Sequence, residues 1–154
     1  MTIQVDSREK ARAIKKILAQ FDESGINWFV SKLFVGDYMS FDNPRLVIDR
    51  KQSLLELCVN VAQDHKRFVS ELQRATEMGI NVVILCEHGY GIKRLGDVIN
   101  WQNPRLKESP MAVSGERLYR ILTALSAKYN VEFLFCEKRE TGKRIIEMLE
   151  RGSA

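Results

Sequence analysis

The sequence predicts one α/β domain, a central β-sheet of mixed direction with helices on both faces. Three observations carry this. Ile80 to Cys86 is a nearly continuous apolar run, the pattern of a central strand covered on both sides. Segments with apolar residues at helical spacing alternate with strand-like segments along the chain. Asn43-Pro44, between two strand-like stretches, marks a turn and therefore an antiparallel hairpin within the sheet.

The elements follow in order. Thr2 to Val5 alternates as a short first strand and ends at Asp6. Arg8 to Phe21 carries Ala11, Ile14, Ile17, Leu18 and Phe21 at helical spacing, and Gly25 ends that unit. Ile26 to Leu33 reads as a strand, and Phe34 to Phe41, running through Gly36 and Asp37, as its hairpin neighbour. Leu46 to Lys51 is the next strand. Ser53 and Glu56 form an S-x-x-E capping box that opens a long helix. Leu54, Leu57, Cys58, Val61, Phe68 and Leu72 keep its rhythm, with His65 in step, until Gly79.

After the apolar strand, HGYGIK (His88 to Lys93) lacks the spacing of a phosphate-binding loop and reads as a turn, so no nucleotide cofactor is expected. Ile99 to Val113 has no period and two prolines, the pattern of a long loop. Ser114 caps a helix through Tyr129 whose inner stripe is Leu118, Ile121, Leu122 and Leu125. Val131 to Cys136 is a short strand, and Thr141 opens a last helix with Ile145, Ile146 and Leu149 inward. No composition shift splits the chain, so residues 1–154 are expected to form a single domain.

Composition narrows the function classes. The chain has 154 residues, 45% of them hydrophobic and 29% charged, a globular balance with enough length to bury a core. No apolar run approaches the roughly 18 to 20 residues of a membrane span, and MTIQVDSREK lacks the form of a secretory signal. The expectation is a soluble protein of the cytoplasm, the host's cytoplasm if a phage encodes it, with no membrane partner. Cys58, Cys86 and Cys136 are an odd, scattered set without a CxxC, which suits free thiols in a reducing compartment. Cys86 with His88 supplies too few ligands for zinc. The net charge of +4 and pI of about 9.0 suit a nucleic-acid partner without requiring one.

The chemistry concentrates in RLVIDRKQSLLE, Arg45 to Glu56. On a strand, residues two apart share a face, so Asp49 and Lys51 are neighbours and Arg50 points away. A hairpin brings Asp37, twelve residues earlier, towards Asp49. Paired carboxylates repel, and a divalent cation removes that penalty. Hard oxygen ligands suit Mg²⁺, which binds through one or two carboxylates plus a phosphate. The ion would acidify a water and polarise a phosphoryl oxygen, and a lysine beside it would orient that water and offset charge growing on phosphate. Asp-x-Lys by itself is also an ordinary solvated strand end.

Four blocks in order give the sequence a family resemblance: VDSRE (Val5 to Glu9), VGDY (Val35 to Tyr38), IDRK (Ile48 to Lys51) and RFVSELQR (Arg67 to Arg74), all within the first 90 residues. Together they resemble the XPF-type nuclease domain, a branch of the PD-(D/E)XK restriction-endonuclease-like superfamily. The resemblance implies a restriction-endonuclease-like fold and a Mg²⁺- or Mn²⁺-dependent DNA endonuclease acting on branched or flapped DNA. It implies Asp37 and Asp49 as metal ligands, with the Arg50 carbonyl in support, and Lys51 as the catalytic lysine. Asp6 and Glu9 match acidic positions at the edge of the metal site, and Arg8, Arg50 and Arg67 match basic positions near the substrate. For Arg67 and Arg74 an exposed helix face paired with Glu71 is the competing reading.

Departures from the family pattern accompany the match. Asp49 replaces the usual glutamate, one methylene shorter, and Leu55 stands where an acid is common. The family's DGRF turn is DHKRF here, Asp64 to Phe68, and no tandem helix-hairpin-helix follows, as in a compact phage-type variant. Beyond residue 90, Trp101, Asn103, Arg105 and Lys107 place an aromatic, an amide and two cations on one loop, which could stack on a base and hold phosphates. The alternative there is Trp101 as a core anchor. The alternative for the whole domain is a non-catalytic DNA-binding partner subunit of a repair or recombination complex, and a homodimer stays open.

Overall fold

A computed structural model describes residues 1–152. Six strands form one sheet in the order β2-β1-β3-β4-β5-β6. They are β1 (Thr2–Val5), β2 (Asn27–Val30), β3 (Tyr38–Ser40), β4 (Asn43–Lys51), β5 (Asn81–Glu87) and β6 (Val131–Cys136). β3 is antiparallel to both β1 and β4, whereas β1–β2, β4–β5 and β5–β6 are parallel. The direction is therefore mixed, with the hairpin in the middle, as the sequence predicts.

Helices cover both faces. α1 (Lys15–Glu23) and α5 (Thr141–Gly152) pack on one side, where Ile17, Phe21, Ile145 and Leu149 meet Ile3, Val5, Ile48, Val83 and Leu85. α2 (Leu54–Cys58), α3 (His65–Glu77) and α4 (Gly115–Lys128) pack on the other. There Leu57, Phe68, Leu72, Leu118 and Leu122 meet Val47, Val82, Ile84 and Phe133. Successive residues of β4 and β5 enter opposite clusters, which is the pleat of strands buried on both sides. No helix among the described residues is long and apolar enough to cross a membrane.

Several local expectations change. β2 is not the hairpin partner of β3; it lies at the outer edge, parallel to β1. After β2 the chain crosses the end of β1, where Ser31 N–H donates to the Val5 carbonyl at 3.0 Å and Leu33 N–H to Asp6 Oδ1 at 2.8 Å. It then enters β3 through Gly36, whose φ of +77° suits glycine and whose Cα lies tight against Val47. α1 begins at Lys15 rather than Arg8. The preceding residues form turns, because Asp6, Arg8 and Glu9 all make side-chain bonds at the sheet end.

The long helix is interrupted by a π-helical turn over Val59–Gln63, closed by Asp64 N–H donating to the Val59 carbonyl at 3.0 Å. His65 consequently is exposed, despite its spacing. At the start of α2, Ser53 Oγ accepts from Glu56 N–H at 3.1 Å, half of the expected capping box. Glu56 answers one residue further back, accepting from Gln52 N–H at 2.9 Å. A 3-10 turn at Leu95–Asn100 leads into the 99–113 segment, which contains another at Pro104–Lys107, and Trp101 and Asn103 are buried.

The same segment closes around the start of α4. A Cβ on Gly115 would lie 2.4 Å from the Trp101 carbonyl oxygen and 2.5 Å from that of Val98. Gly115→Ala should therefore destabilise the domain by about 1–3 kcal/mol, the usual cost of overpacking. Urea unfolding checks this, with Gly96→Ala as the control, because a Cβ there meets nothing within 4 Å.

Candidate active site

The end of β4 places two chemistries on two faces. Asp49 and Lys51 share the face of Val47, and Arg50 shares that of Ile48. Asp37 immediately precedes β3, where Tyr38 faces the α1–α5 side, so Asp37 projects to the Asp49 side. Its backbone is fixed in both directions: Asp37 N–H donates to the Ile48 carbonyl and Asp6 N–H to the Asp37 carbonyl, each at 2.8 Å. Its side chain is held as well, because Oδ2 accepts from Arg50 N–H at 2.8 Å.

Asp37 and Asp49 are brought within hydrogen-bonding reach of each other. Burial is the largest influence on Asp37, and the charge of Asp49, the bond to it and the charge of Glu9 act in the same direction. Against the lowering effect of Arg50 N–H, they push the Asp37 pKa up to about 9. Lys51 Nζ stands 3.4 Å from Asp49 Oδ2, with the two side chains 14% and 20% exposed. Burial opposes the Lys51 charge, but Asp49, Asp37 and Glu56 outweigh it, so its pKa is raised and the ammonium persists at neutral pH.

These three side chains line a cleft of about 280 Å³, whose walls also include Arg8, Arg67, Arg74, Phe34 and Glu71. Arg67 is 84% exposed and lies 3.7 Å from Glu71, so it remains open to an anion. Arg74 sits over the Phe34 ring at 5.6 Å. Arg8 is largely exposed; its Nε donates to Asp6 Oδ2 at 2.7 Å and its Nη2 to the Leu33 carbonyl at 3.1 Å.

Comparisons with known proteins bear on the family and the fold. The model of the ERCC4 domain matches residues 5–149. The chain belongs to the ERCC4 domain family.

Two solved structures share the ERCC4-domain architecture. XPF from Aeropyrum pernix superposes with a TM-score of 0.70 at 19% identity, over 99% of this chain and 65% of that one. XPF from Aeropyrum pernix in complex with DNA gives 0.69 at 18% identity, over 99% and 64%. The fold is thus the restriction-endonuclease-like one expected from the four sequence blocks. The chain spans about two-thirds of the length of those relatives. Among curated proteins no sequence match is found.

Within the ERCC4 domain, several expected site residues have other partners. Both oxygens of Asp6 are engaged, Oδ1 by Leu33 N–H and Oδ2 by Arg8. Glu9 accepts from the Tyr38 hydroxyl at 2.7 Å and from Arg50 Nε at 2.8 Å. Neither stands as a free metal ligand, and no cluster of three or more Asp, Glu, His or Cys arranged for a metal occurs among the described residues. Of the expected metal-site acids, Asp37 and Asp49 are the two brought within hydrogen-bonding reach of each other.

Arg50 is not placed to touch DNA. It is 5% exposed, on the opposite face, paired with Glu9 and Glu87. Trp101, 9% exposed, is a core anchor set edge-on to His88, and this removes it as a stacking surface. Asn103 is buried too: its amide donates to the Val113 carbonyl at 2.9 Å and its oxygen accepts from Arg105 N–H at 3.0 Å, stapling the loop. Arg105 and Lys107 remain exposed, away from the cleft lining. His88 uses Nδ1 to accept from Leu54 N–H at 3.3 Å, and Cys86 is fully buried.

The sequence reading missed Glu87, Tyr38 and Thr141. Glu87 binds Arg50 through one oxygen and accepts from the Thr141 hydroxyl at 2.6 Å through the other. The signal was an acid ending the most apolar strand of the chain, β5, which pairs in parallel with β4. Only an oppositely charged partner tolerates that position.

Truncating Glu87 to Ala leaves the Arg50 guanidinium buried with one partner lost. Such a change is expected to cost about 3–5 kcal/mol in chemical denaturation. A pH dependence follows from Asp37, whose folded-state pKa lies above the ordinary 3.8. Its contribution to stability is full below about pH 4 and is lost as the pH rises towards about 9. Urea unfolding in EDTA at a series of pH values should show this decline, and Asp37→Asn should flatten it.

Proposed function

We propose that this ERCC4 domain is a divalent-metal-dependent endonuclease that hydrolyses phosphodiester bonds in DNA. The observation that carries the reading is the pair Asp37–Asp49, forced together in a cleft with Lys51 beside it. Burial first, and then the neighbouring Asp49, drive the Asp37 pKa up to about 9, which disfavours two charged carboxylates side by side. A cation with oxygen preference, Mg²⁺ or Mn²⁺, fits it: two carboxylates, completed by water and substrate phosphate, are its usual protein share. When bound, such an ion supplies positive charge to a phosphoryl oxygen and acidifies the attacking water.

The chain's own residues do the rest. Asp37 and Asp49 would hold the ion, and the Arg50 N–H bond and the two backbone bonds of Asp37 keep the first carboxylate oriented. Lys51 keeps its proton at neutral pH, so it acts as a donor and not as a base. Its ammonium can orient the water and balance charge that develops on the phosphate in the transition state. Arg8, Arg67 and Arg74 give the cleft walls positive charge for flanking phosphates. Branched or flapped DNA as the substrate rests on the family resemblance, and the solved XPF–DNA complex supports DNA as the ligand class.

The rival reading is a non-catalytic DNA-binding subunit. Retention of Asp37, Asp49 and Lys51 together favours the enzyme. The deciding experiment incubates labelled junctions, flaps, duplexes and single strands with the protein, with and without Mg²⁺ or Mn²⁺. Asp37→Ala and Lys51→Ala should each lower the single-turnover cleavage rate at least about 100-fold while DNA affinity stays largely intact. Cleavage by Asp37→Ala at the wild-type rate would remove the site assignment. DNA binding by wild-type protein with no cleavage under either metal would establish the non-catalytic alternative.

A further inference from the structure

Phe34 stands on the wall of the same cleft and is 61% exposed. A single exposed aromatic is ordinary on a protein surface. What sets Phe34 apart is how firmly it is held there. On one side Leu33 is buried, its N–H donating to Asp6 Oδ1 at 2.8 Å and its carbonyl accepting from Arg8 at 3.1 Å. On the other side Gly36 lies against Val47, and Asp37 is fixed to both neighbouring strands. The short link between two pinned points therefore presents the ring to solvent rather than folding it away.

Arg74, from α3, places its guanidinium 5.6 Å from the centre of that ring. A cation over an aromatic ring is a favourable pair in its own right. It also sets a phosphate-binding group beside a flat apolar surface, the two features a single nucleotide needs for its backbone and its base. Inside a continuous duplex, bases are stacked on one another and offer no free face. Only an unpaired or splayed nucleotide can lay its base on Phe34.

We propose that Phe34, backed by Arg74, is a stacking platform for an unpaired nucleobase beside the scissile phosphate. The platform makes the cleft select DNA with an unpaired nucleotide at the reacting position over continuous duplex. This rests on the nuclease reading above and adds to it a specificity-determining residue. The other aromatic pair of this region, Phe29 with Phe41 at 5.1 Å, does not line the cleft and takes no part.

The test uses the full chain and two fluorescein-labelled DNAs: a continuous duplex, and the same duplex with a splayed single-stranded arm. The arm carries 2-aminopurine at its first unpaired position. Ca²⁺ replaces Mg²⁺ to hold back cleavage, and both anisotropy and 2-aminopurine fluorescence are followed. Wild-type protein should quench the probe on the splayed DNA. Phe34→Ala should lose the quenching and bind splayed DNA about tenfold more weakly, with duplex affinity changed by no more than about twofold, the scale of one base–aromatic stack. Phe34→Trp should keep both the quenching and the affinity. Equal weakening on the two DNAs, or wild-type quenching by Phe34→Ala, overturns the stacking platform while leaving the nuclease reading intact. Wild-type protein that binds neither DNA overturns the nuclease reading and the platform with it.

Discussion

The buried ion network around Arg50 is the interaction on which the site depends. Its guanidinium reaches Glu9 from the turn after β1 and Glu87 at the end of β5, and Glu87 in turn holds Thr141 at the start of α5. Glu9 also takes the Tyr38 hydroxyl from β3. Four strands and a helix are thus tied at one point on the face away from the cleft. Taking such charges out of water is costly, and the arrangement survives because each partner is bonded more than once. The tie limits how β1, β3, β4 and β5 can slide, and the same residue's N–H orients Asp37 on the opposite face.

Across the sheet the electrostatics is reversed. On the Arg50 side, acids and base meet in matched pairs. On the cleft side, two carboxyls meet with one lysine, and the imbalance appears as the raised pKa of Asp37. Burial and repulsion both favour the neutral acid, so the fold holds Asp37 where its charged form is disfavoured. Structural ion pairs such as Arg50 with Glu9 and Glu87 leave their groups satisfied, whereas Asp37 lies beside a second acid.

The crossover between β2 and β3 serves the same end. Were the two strands a tight hairpin, the segment from Ser31 to Asp37 would continue the sheet. Instead it leaves β2 at the edge, passes the end of β1 and returns on the other side. Asp6 and Arg8 pin its course through Leu33, so Asp6, one of the acids expected at the edge of the metal site, makes structural bonds instead. The path delivers Asp37 to the end of β4 and leaves Phe34 on the cleft wall.

Much of this was legible from residue order. The period-two pattern of Leu46 to Lys51 put Asp49 and Lys51 on one face and Arg50 on the other, the apolar run Ile80 to Cys86 announced the central strand, and Ser114 marked the helix that follows. These are local consequences of backbone geometry, and local sequence carries them. Tertiary structure alone decided that Arg50 faces Glu9 and Glu87, that Glu9 and Asp6 are engaged by other protein groups, and that Trp101 packs inward. It also decided that β2 lies outside β1, and that the π-helical turn turns His65 to solvent. Each of those outcomes depends on which distant segments meet, and a side chain's partner is set by the pairing of strands far apart in sequence rather than by its neighbours along the chain.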